Sequence, residues 1–304
     1  MVLRLGYVGI NLTLQGEKGG PRLRSITAKR LEPMAPRERR PLLYQVARSN
    51  LKTLEAVIRW NREQGIRLFR ITSDLVPLAT HPVAAEWDWE ADLAAEFADV
   101  ARLARETGIR LTLHPGQFVV LNAPDDELVA RSMQDLSYHA RMLELLALGP
   151  ESGLVLHIGG GYGDKAAAAR RFVRNFGRLE RRIADRLWVE NDDVTWDTAA
   201  VLAIAREIRR PMVFDLHHHR VLREDDWLTW LEQILPTWGG LRPKLHFSSP
   251  RDGRRSRHHA DYIDPDDFQA FAERVPDLEA DVMLECKMKD KALLALREAV
   301  PGLE

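Results

Sequence analysis

One cysteine, Cys286, is all that the chain contains. That excludes a disulfide framework and a thiolate zinc finger, and it makes a reducing cytoplasm the expected compartment. No apolar run approaches the roughly 18 residues of a membrane-spanning helix, so no membrane partner is expected. The opening MVLRLGYVGI is apolar, but it lacks the long hydrophobic region and small-residue cleavage site of a secretory signal. No internal repeat or low-complexity linker divides the 304 residues, and one domain over 1–304 is expected. An excess of charge is missing too: 44 basic residues face 45 acidic ones, for a net charge of −1. Global charge therefore does not announce a polyanionic partner. Lysine is scarce, occurring only at positions 18, 29, 52, 165, 244, 287, 289 and 291, so arginine supplies most of the positive charge. The arginine fork suits phosphate, although a GC-rich genome would give the same bias.

What is present reads as an α/β barrel. Hydrophobic residues make up 45% and charged residues 29%, an ordinary soluble composition. The length fits the roughly 250 residues of a TIM barrel plus insertions. Short apolar segments at 3–8, 67–71, 110–114, 154–157, 187–190, 212–215, 244–247 and 282–285 read as strands. Helical spacing separates them: Leu51, Leu54, Val57 and Ile58 form one stripe, and Met133, Leu136, Ala140, Leu143 and Ala147 another. The segment 167–184 reads as one helix with an arginine-rich outer face. Strands alternating with helices imply parallel βαβ units, and eight of them imply a single closed (β/α)8 TIM barrel. The longest break in this rhythm, 9–41, carries glycines, prolines and arginines without a clean period. It is expected to build the rim of the mouth.

Barrel active sites form where strands end. Strand 2 is followed by Ser73-Asp74 and His81-Pro82, strand 3 by His114, strand 4 by His157 and strand 5 by Glu190. Strand 6 ends in Asp215 followed by three histidines, strand 7 carries Lys244 and His246, and strand 8 ends in Glu285. Carboxylates and imidazoles crowded into one mouth need cations to balance them. The set His81, His114, His157, Glu190, Asp215, His218, His246, His259 and Glu285 is too large for one ion. Two or three divalent ions sharing bridging carboxylates fit it, and without thiolates Mn²⁺ and Zn²⁺ are hard to separate. Metals clustered about 3.5–4 Å apart are typical machinery for phosphodiester hydrolysis. Lys244 leaves its strand on the same face as His246. It can pair with a carboxylate, be neutral, or be carboxylated into an anionic ligand, and spacing alone favours the ion pair. His139, mid-helix, is expected on the surface. His218 is preferred over His217 and His219 because Asp-x-x-His puts it one helical turn past the strand. His259 is chosen over a close rival, His258.

Several strings resemble the UV damage endonuclease family. They are Leu5-Gly6-Tyr7 with Asn11-Leu12; Phe69-Arg70-Ile71-Thr72-Ser73-Asp74-Leu75 with His81-Pro82; and His114-Pro115-Gly116-Gln117-Phe118. The others are His157-Ile158-Gly159-Gly160, Leu187-Trp188-Val189-Glu190-Asn191-Asp192, Asp215-Leu216-His217-His218 and Lys244-Leu245-His246. The resemblance runs in order from about residue 3 to 290. It implies a barrel related to the endonuclease IV and xylose isomerase-like barrels. It further implies a cluster of about three divalent ions, Mn²⁺ first with Zn²⁺ or Mg²⁺ as alternatives, and nicking of damaged double-stranded DNA directly 5′ to UV photolesions. The substrates implied are pyrimidine dimers, 6-4 photoproducts and abasic sites.

By the same resemblance the metal ligands fall on the nine residues above, with Glu190, Asp215, Lys244 and Glu285 catalytic. Lys244 becomes a carboxylated lysine. Tyr7, Asn11, Gln117 and Phe118 become lesion-probing residues; the family also has tyrosine at the Phe118 position, and phenylalanine keeps the stacking face without the hydroxyl. Damaged steps unstack more cheaply, so a planar Phe118 beside Gln117 could fill the gap as a wedge. Arginines within 22–40, and Arg251, Arg254, Arg255 and Arg257, are candidate phosphate contacts on an electropositive rim. No obligate protein partner is indicated, and a monomer is expected. Three alternatives stand beside this reading: a metal-dependent sugar isomerase or epimerase on the same barrel, a non-catalytic damage sensor, and an endonuclease restricted to abasic sites.

Overall fold

In a computed structural model, described for residues 2–223, 225–253 and 255–303, eight parallel strands alternate with helices. The strands are β1 (Val2–Val8), β2 (Leu68–Arg70), β3 (Arg110–Thr112), β4 (Leu154–His157), β5 (Leu187–Glu190), β6 (Met212–Asp215), β7 (Lys244–Phe247) and β8 (Glu279–Leu284). Their order is β3-β2-β1-β8-β7-β6-β5-β4. An isolated parallel bridge between Leu113 and Leu154 joins the two ends, with Val155 N donating to Leu113 O at 2.9 Å. This is the (β/α)8 barrel that the spacing implies. No helix among the described residues is long and apolar enough to cross a membrane.

Strands buried on both faces need apolar residues on both, which is why they read as short continuous runs. Outward residues such as Leu3, Leu5, Leu111, Leu156 and Val189 join the helices in one large core. Inward residues stack in layers. At the N-terminal end, Asp281 accepts from Arg4 (2.6 and 2.9 Å), Arg110 (2.7 Å) and Arg242 (3.1 Å), and the Arg110 guanidinium lies 5.2 Å from the Trp188 ring centre. Above this plug, Val155, Trp188, Val213 and Trp238 form one apolar cluster and Val8, Leu68 and Met283 another. Gly6 faces Leu68 across the β1–β2 pair, and a Cβ there would stand 2.5 Å from the Leu68 side chain. Only glycine permits that approach. With the floor filled, the open end of the barrel is the C-terminal layer, where the strand-end polar groups gather.

Four local expectations change. The 167–184 helix is two, Lys165–Phe176 and Arg181–Ala184, because Gly177 caps the first, its N–H bonding Val173 O. Ala147 lies past the helix Asp126–Leu145 at φ +50°, outside its apolar stripe. The stretch without a clean period ends at 35, not 41, and carries two short helices, Leu12–Gly16 and Ala28–Leu31; Pro36 opens the helix Pro36–Glu63 at a position where its missing N–H costs nothing. His139 is buried rather than on the surface, its Nδ1 2.8 Å from Asp135 O and its ring edge-on to Tyr138.

Candidate metal centre

The ends of β4, β5, β6 and β7 place His157, Glu190, Asp215 and His246 in one layer, with register pairs His157–Glu190 and Asp215–His246. His114 and Glu285 lie just beyond β3 and β8. Glu190 is the hub. Its Oε2 lies 2.9 Å from His114 Nε2 and 3.5 Å from His157 Nε2, and its Oε1 lies 2.6 Å from His246 Nδ1. His246 Nδ1 is also 3.3 Å from Glu285 Oε1 and 4.0 Å from Asp215 Oδ2. Asp215 caps the next helix, Leu216–Leu222: its Oδ1 accepts from His218 N at 2.7 Å, which brings His218 Nδ1 to 3.6 Å from Oδ2. The Asp-x-x-His spacing thus works through an N-cap.

Three groups have ligand atoms close enough to share ions: His114, His157 and Glu190; Glu190, Asp215 and His218; and Asp215, His246 and Glu285. Glu190 and Asp215 each belong to two of them, as bridging ligands would. Asp215 Oδ2, His157 Nδ1 and His246 Nε2 are buried without a hydrogen-bond partner. Such atoms are costly unless something else occupies them. His114 Nδ1 lies 3.1 Å from Pro115 O and His218 Nδ1 2.9 Å from Asn191 O. A ring nitrogen anchored on a carbonyl leaves the other to bind metal. The donor set therefore fits divalent cations.

The electrostatics agree. Burial would raise the carboxyl of Glu190, but His246 and His157 outweigh it and hold the group well below the usual carboxylate range. Burial would likewise raise Glu285, and the facing Arg70 and His246 hold it low. Burial would lower His218, yet Asp215 and Glu190 lift it to about 9. For His114 and His157 burial wins, and both are lowered. The carboxylates collect whatever positive charge is within reach, which is the service a divalent ion performs.

Lys244 is fully buried, and its Nζ has no hydrogen-bond partner. The carboxylate pairing that spacing favours is therefore not formed. Burial, and next the Arg70 charge, push its ammonium down to about 7. His81 joins none of the three groups: it is exposed, and its Nδ1 accepts from Val83 N at 3.1 Å, leaving Nε2 for a ligand. His259 is half-buried, its Nδ1 2.5 Å from Glu285 O, its ring 5.1 Å from His217 and 6.0 Å from His218. His258 is exposed. His219 is buried against Thr198 Oγ1 at 2.8 Å.

Tyr7 lies at the C-terminal end of β1 and Asn11 just beyond it. Both are buried, with the Tyr7 hydroxyl donating to Asn61 Oδ1 and accepting from Asn11 Nδ2, each at 2.8 Å. Asn11 Oδ1 caps the helix Leu12–Gly16. Their hydrogen bonds tie the first βα turn to the helix Pro36–Glu63. Gln117 and Phe118 are exposed on the turn after β3. A Cβ at Gly116 would lie 2.4 Å from the Phe118 ring, so glycine lets the ring fold over the turn. The mouth is an open cavity of about 540 Å³ whose wall includes Arg70, His114, Gln117, His157, His218 and Glu285.

Sequence reasoning gave no role to Arg70 or Asn191. Arg70 ion-pairs with Glu285. An arginine at the end of an inward-facing strand position was the available signal. The Asn191 amide clamps β6, donating to Asp215 O at 2.9 Å and accepting from Asp215 N at 3.0 Å. Among the rim arginines, Arg40 pairs with Asp92, Arg251 with Asp252 and Arg257 with Asp193, while Arg39 is bonded to backbone carbonyls. The rim is thus partly neutralised. Arg254 lies outside the described residues.

A family model described as UV-endonuclease UvdE matches residues 3–304. The UV DNA damage endonuclease of Bacillus velezensis is 35% identical over 311 aligned positions, covering 100% of this chain and 95% of that protein. The one from Bacillus pumilus is 34% identical, with 100% and 95% covered. The crystal structure of SacUVDE superposes with a TM-score of 0.87 at 31% identity, covering 98% of this chain and 96% of that one. Endonuclease IV from Thermus thermophilus shares the fold, with a TM-score of 0.59 at 20% identity over 81% of this chain and 93% of that one.

Proposed function

This chain belongs to the UV-endonuclease UvdE family, and from that premise we propose that it nicks double-stranded DNA immediately 5′ to pyrimidine dimers, 6-4 photoproducts and abasic sites. The observation that carries this reading is the overlap of three ligand groups through Glu190 and Asp215 at the barrel mouth. About three divalent ions, Mn²⁺ first, are the proposed cofactors, with His81 and His259 completing the ligand set. When bound, such a cluster supplies an activated water and charge stabilisation for the leaving oxygen. The chain's own residues hold the shared carboxylates deprotonated, orient the imidazoles through backbone carbonyls, and present Gln117 and Phe118 to the duplex. One barrel domain acting as a monomer suffices for all of these tasks.

Plasmid nicking tests the reading. UV-irradiated plasmid is expected to be nicked with Mn²⁺ and spared with chelator, and undamaged plasmid to be spared in both. Nicking of depurinated plasmid alone would favour the abasic-site enzyme, and no nicking of either would end the proposal. Binding should also weaken with salt through loss of counterion release. With six phosphates held, affinity falls by about 10³-fold between roughly 50 and 200 mM. A salt-insensitive affinity would remove the arginine rim from the account.

Lys244 belongs to the same proposal as a carboxylated lysine. A fully buried Nζ without a partner beside a metal centre calls for conversion to an anion. The neutral amine would attack carbon dioxide, the N–C bond forming as one C=O π bond opens to a carboxylate oxygen and one proton leaves to solvent, and the carbamate would offer anionic oxygen to a bound divalent ion. Metal-loaded protein equilibrated with ¹³C-bicarbonate should show a carbamate carbon resonance that is lost in Lys244→Met. Parent protein lacking that resonance would refute the modification.

A further inference from the structure

Three of the five large apolar side chains exposed among the described residues meet at one groove beside the metal centre. Phe118 is 71% exposed, Val194 58% and Tyr162 45%, and they come from the loops after β3, β5 and β4. The groove holds about 460 Å³, and His157 and His218 line both it and the mouth. Its size falls within the roughly 300–1,000 Å³ of small-ligand pockets.

Tyr162 is held there at a cost. Its φ is +49°, in the left-handed region, within a run of glycines at 159, 160, 161 and 163. Glycine adopts that conformation freely, while a bulky residue does so under strain that clusters at functional sites. The ring is fixed in place. The Arg171 guanidinium lies 5.5 Å from its centre, anchored by Nε donating to Asn122 O at 2.8 Å. A Cβ at Gly160 would stand 3.2 Å from the ring, just as one at Gly116 would meet Phe118. Two exposed rings, each leaning on a glycine, thus flank one groove.

The carboxylates of the groove are occupied within the protein. Asp192 Oδ1 accepts from the backbone N–H groups of Val194, Thr195 and Trp196 at 2.8, 2.6 and 3.0 Å. Asp193 Oδ2 accepts from Arg257 Nε at 2.6 Å. Both carboxylates are thus engaged, one by the loop amides and one by Arg257, and the surface left for an occupant is the apolar one of Phe118, Tyr162 and Val194, which suits a flat, apolar-faced group. A nucleobase is such a group.

We infer that Tyr162 and Val194 form a subsite that receives the extruded base of the lesion, while Phe118 occupies the gap left in the helix. The inference rests on the DNA-nicking reading of the metal centre, and it gives the flipped base a wall to stack on. The test measures affinity of the metal-loaded protein for three duplexes: one with a single thymine dimer, one with an abasic analogue at that position, and one undamaged. Tyr162→Gly should lose roughly tenfold or more in affinity for the dimer duplex. Its affinity for the other two should stay at parental values, because an abasic site has no base to stack. Tyr162→Phe keeps the ring and should restore dimer binding. Glycine also relieves the left-handed strain, so the Tm of Tyr162→Gly should hold or rise. Equal dimer affinity in Tyr162→Gly and parent, or equal losses on all three duplexes, would overturn the subsite. Failure of the parent to nick the dimer duplex would instead overturn the functional reading beneath it.

Discussion

Replacing Glu190 or Asp215 should abolish nicking while binding of damaged DNA persists. Each carboxylate belongs to two of the three ligand groups, so its loss removes charge from two positions at once. Glu190 also balances His114, His157 and His246. Metal catalysis of phosphodiester hydrolysis is worth several kcal/mol, and each 1.4 kcal/mol is about tenfold in rate. Single-turnover nicking should therefore fall by about 10³-fold or more, with a matching fall in bound metal by elemental analysis. The choice of substitution matters at Asp215. Alanine there also deletes the cap of Leu216–Leu222, costing about 0.5–2 kcal/mol of stability. Asparagine keeps a capping oxygen and removes only the charge, and Glu190→Gln does the same at the hub. Parental nicking rates in Glu190→Gln and Asp215→Asn would sink the shared-carboxylate reading. Loss of lesion binding in step with nicking would show that these residues hold DNA rather than act on it.

Much of this arrangement is legible before any coordinates. Strands buried on both faces must be short apolar runs, so β4 to β7 start and stop where composition changes, and the inward residues at their C-terminal ends, His157, Glu190, Asp215 and His246, form the site. Alternation then sorts the faces, that of Tyr7 included. Tyr7 shares its parity with Leu3 and Leu5, which pack outward on the helices, while Gly6 faces the interior. Period-two counting alone puts its side chain on the helix-facing side of β1, where its hydroxyl meets Asn61. What periodicity cannot supply is depth and pairing. That Lys244 sits without a partner, and that Arg70 reaches Glu285, depends on which neighbours share a layer across the barrel. Loop residues are less legible still. The exposure of His81 and the left-handed Tyr162 follow from turn geometry and local caps, which composition only hints at.

Changing Gln117 and Phe118 to alanine should have the opposite effect from changing the carboxylates. Both side chains are exposed on the turn after β3, so their removal should leave folding within about 0.5 kcal/mol of the parent. The ligand groups are untouched, and bound metal should stay at the parental level. What is lost is the ring that fills the gap when a damaged nucleotide leaves the stack. Base–aromatic stacking is worth about 1–3 kcal/mol, so lesion affinity should drop by roughly tenfold to a hundredfold. The loss should appear on dimer and abasic duplexes alike, because the gap exists in both. This separates the wedge from Tyr162, whose loss should register only where a base is extruded. At enzyme concentrations high enough to saturate the weakened complex, single-turnover nicking should recover substantially, since the centre that cleaves is intact. Phe118→Tyr keeps the stacking face and should bind as the parent does. Alanine variants that discriminate damaged from undamaged DNA as well as the parent would leave Gln117 and Phe118 without a part in damage recognition, and the site that senses the lesion would then have to lie elsewhere on the rim.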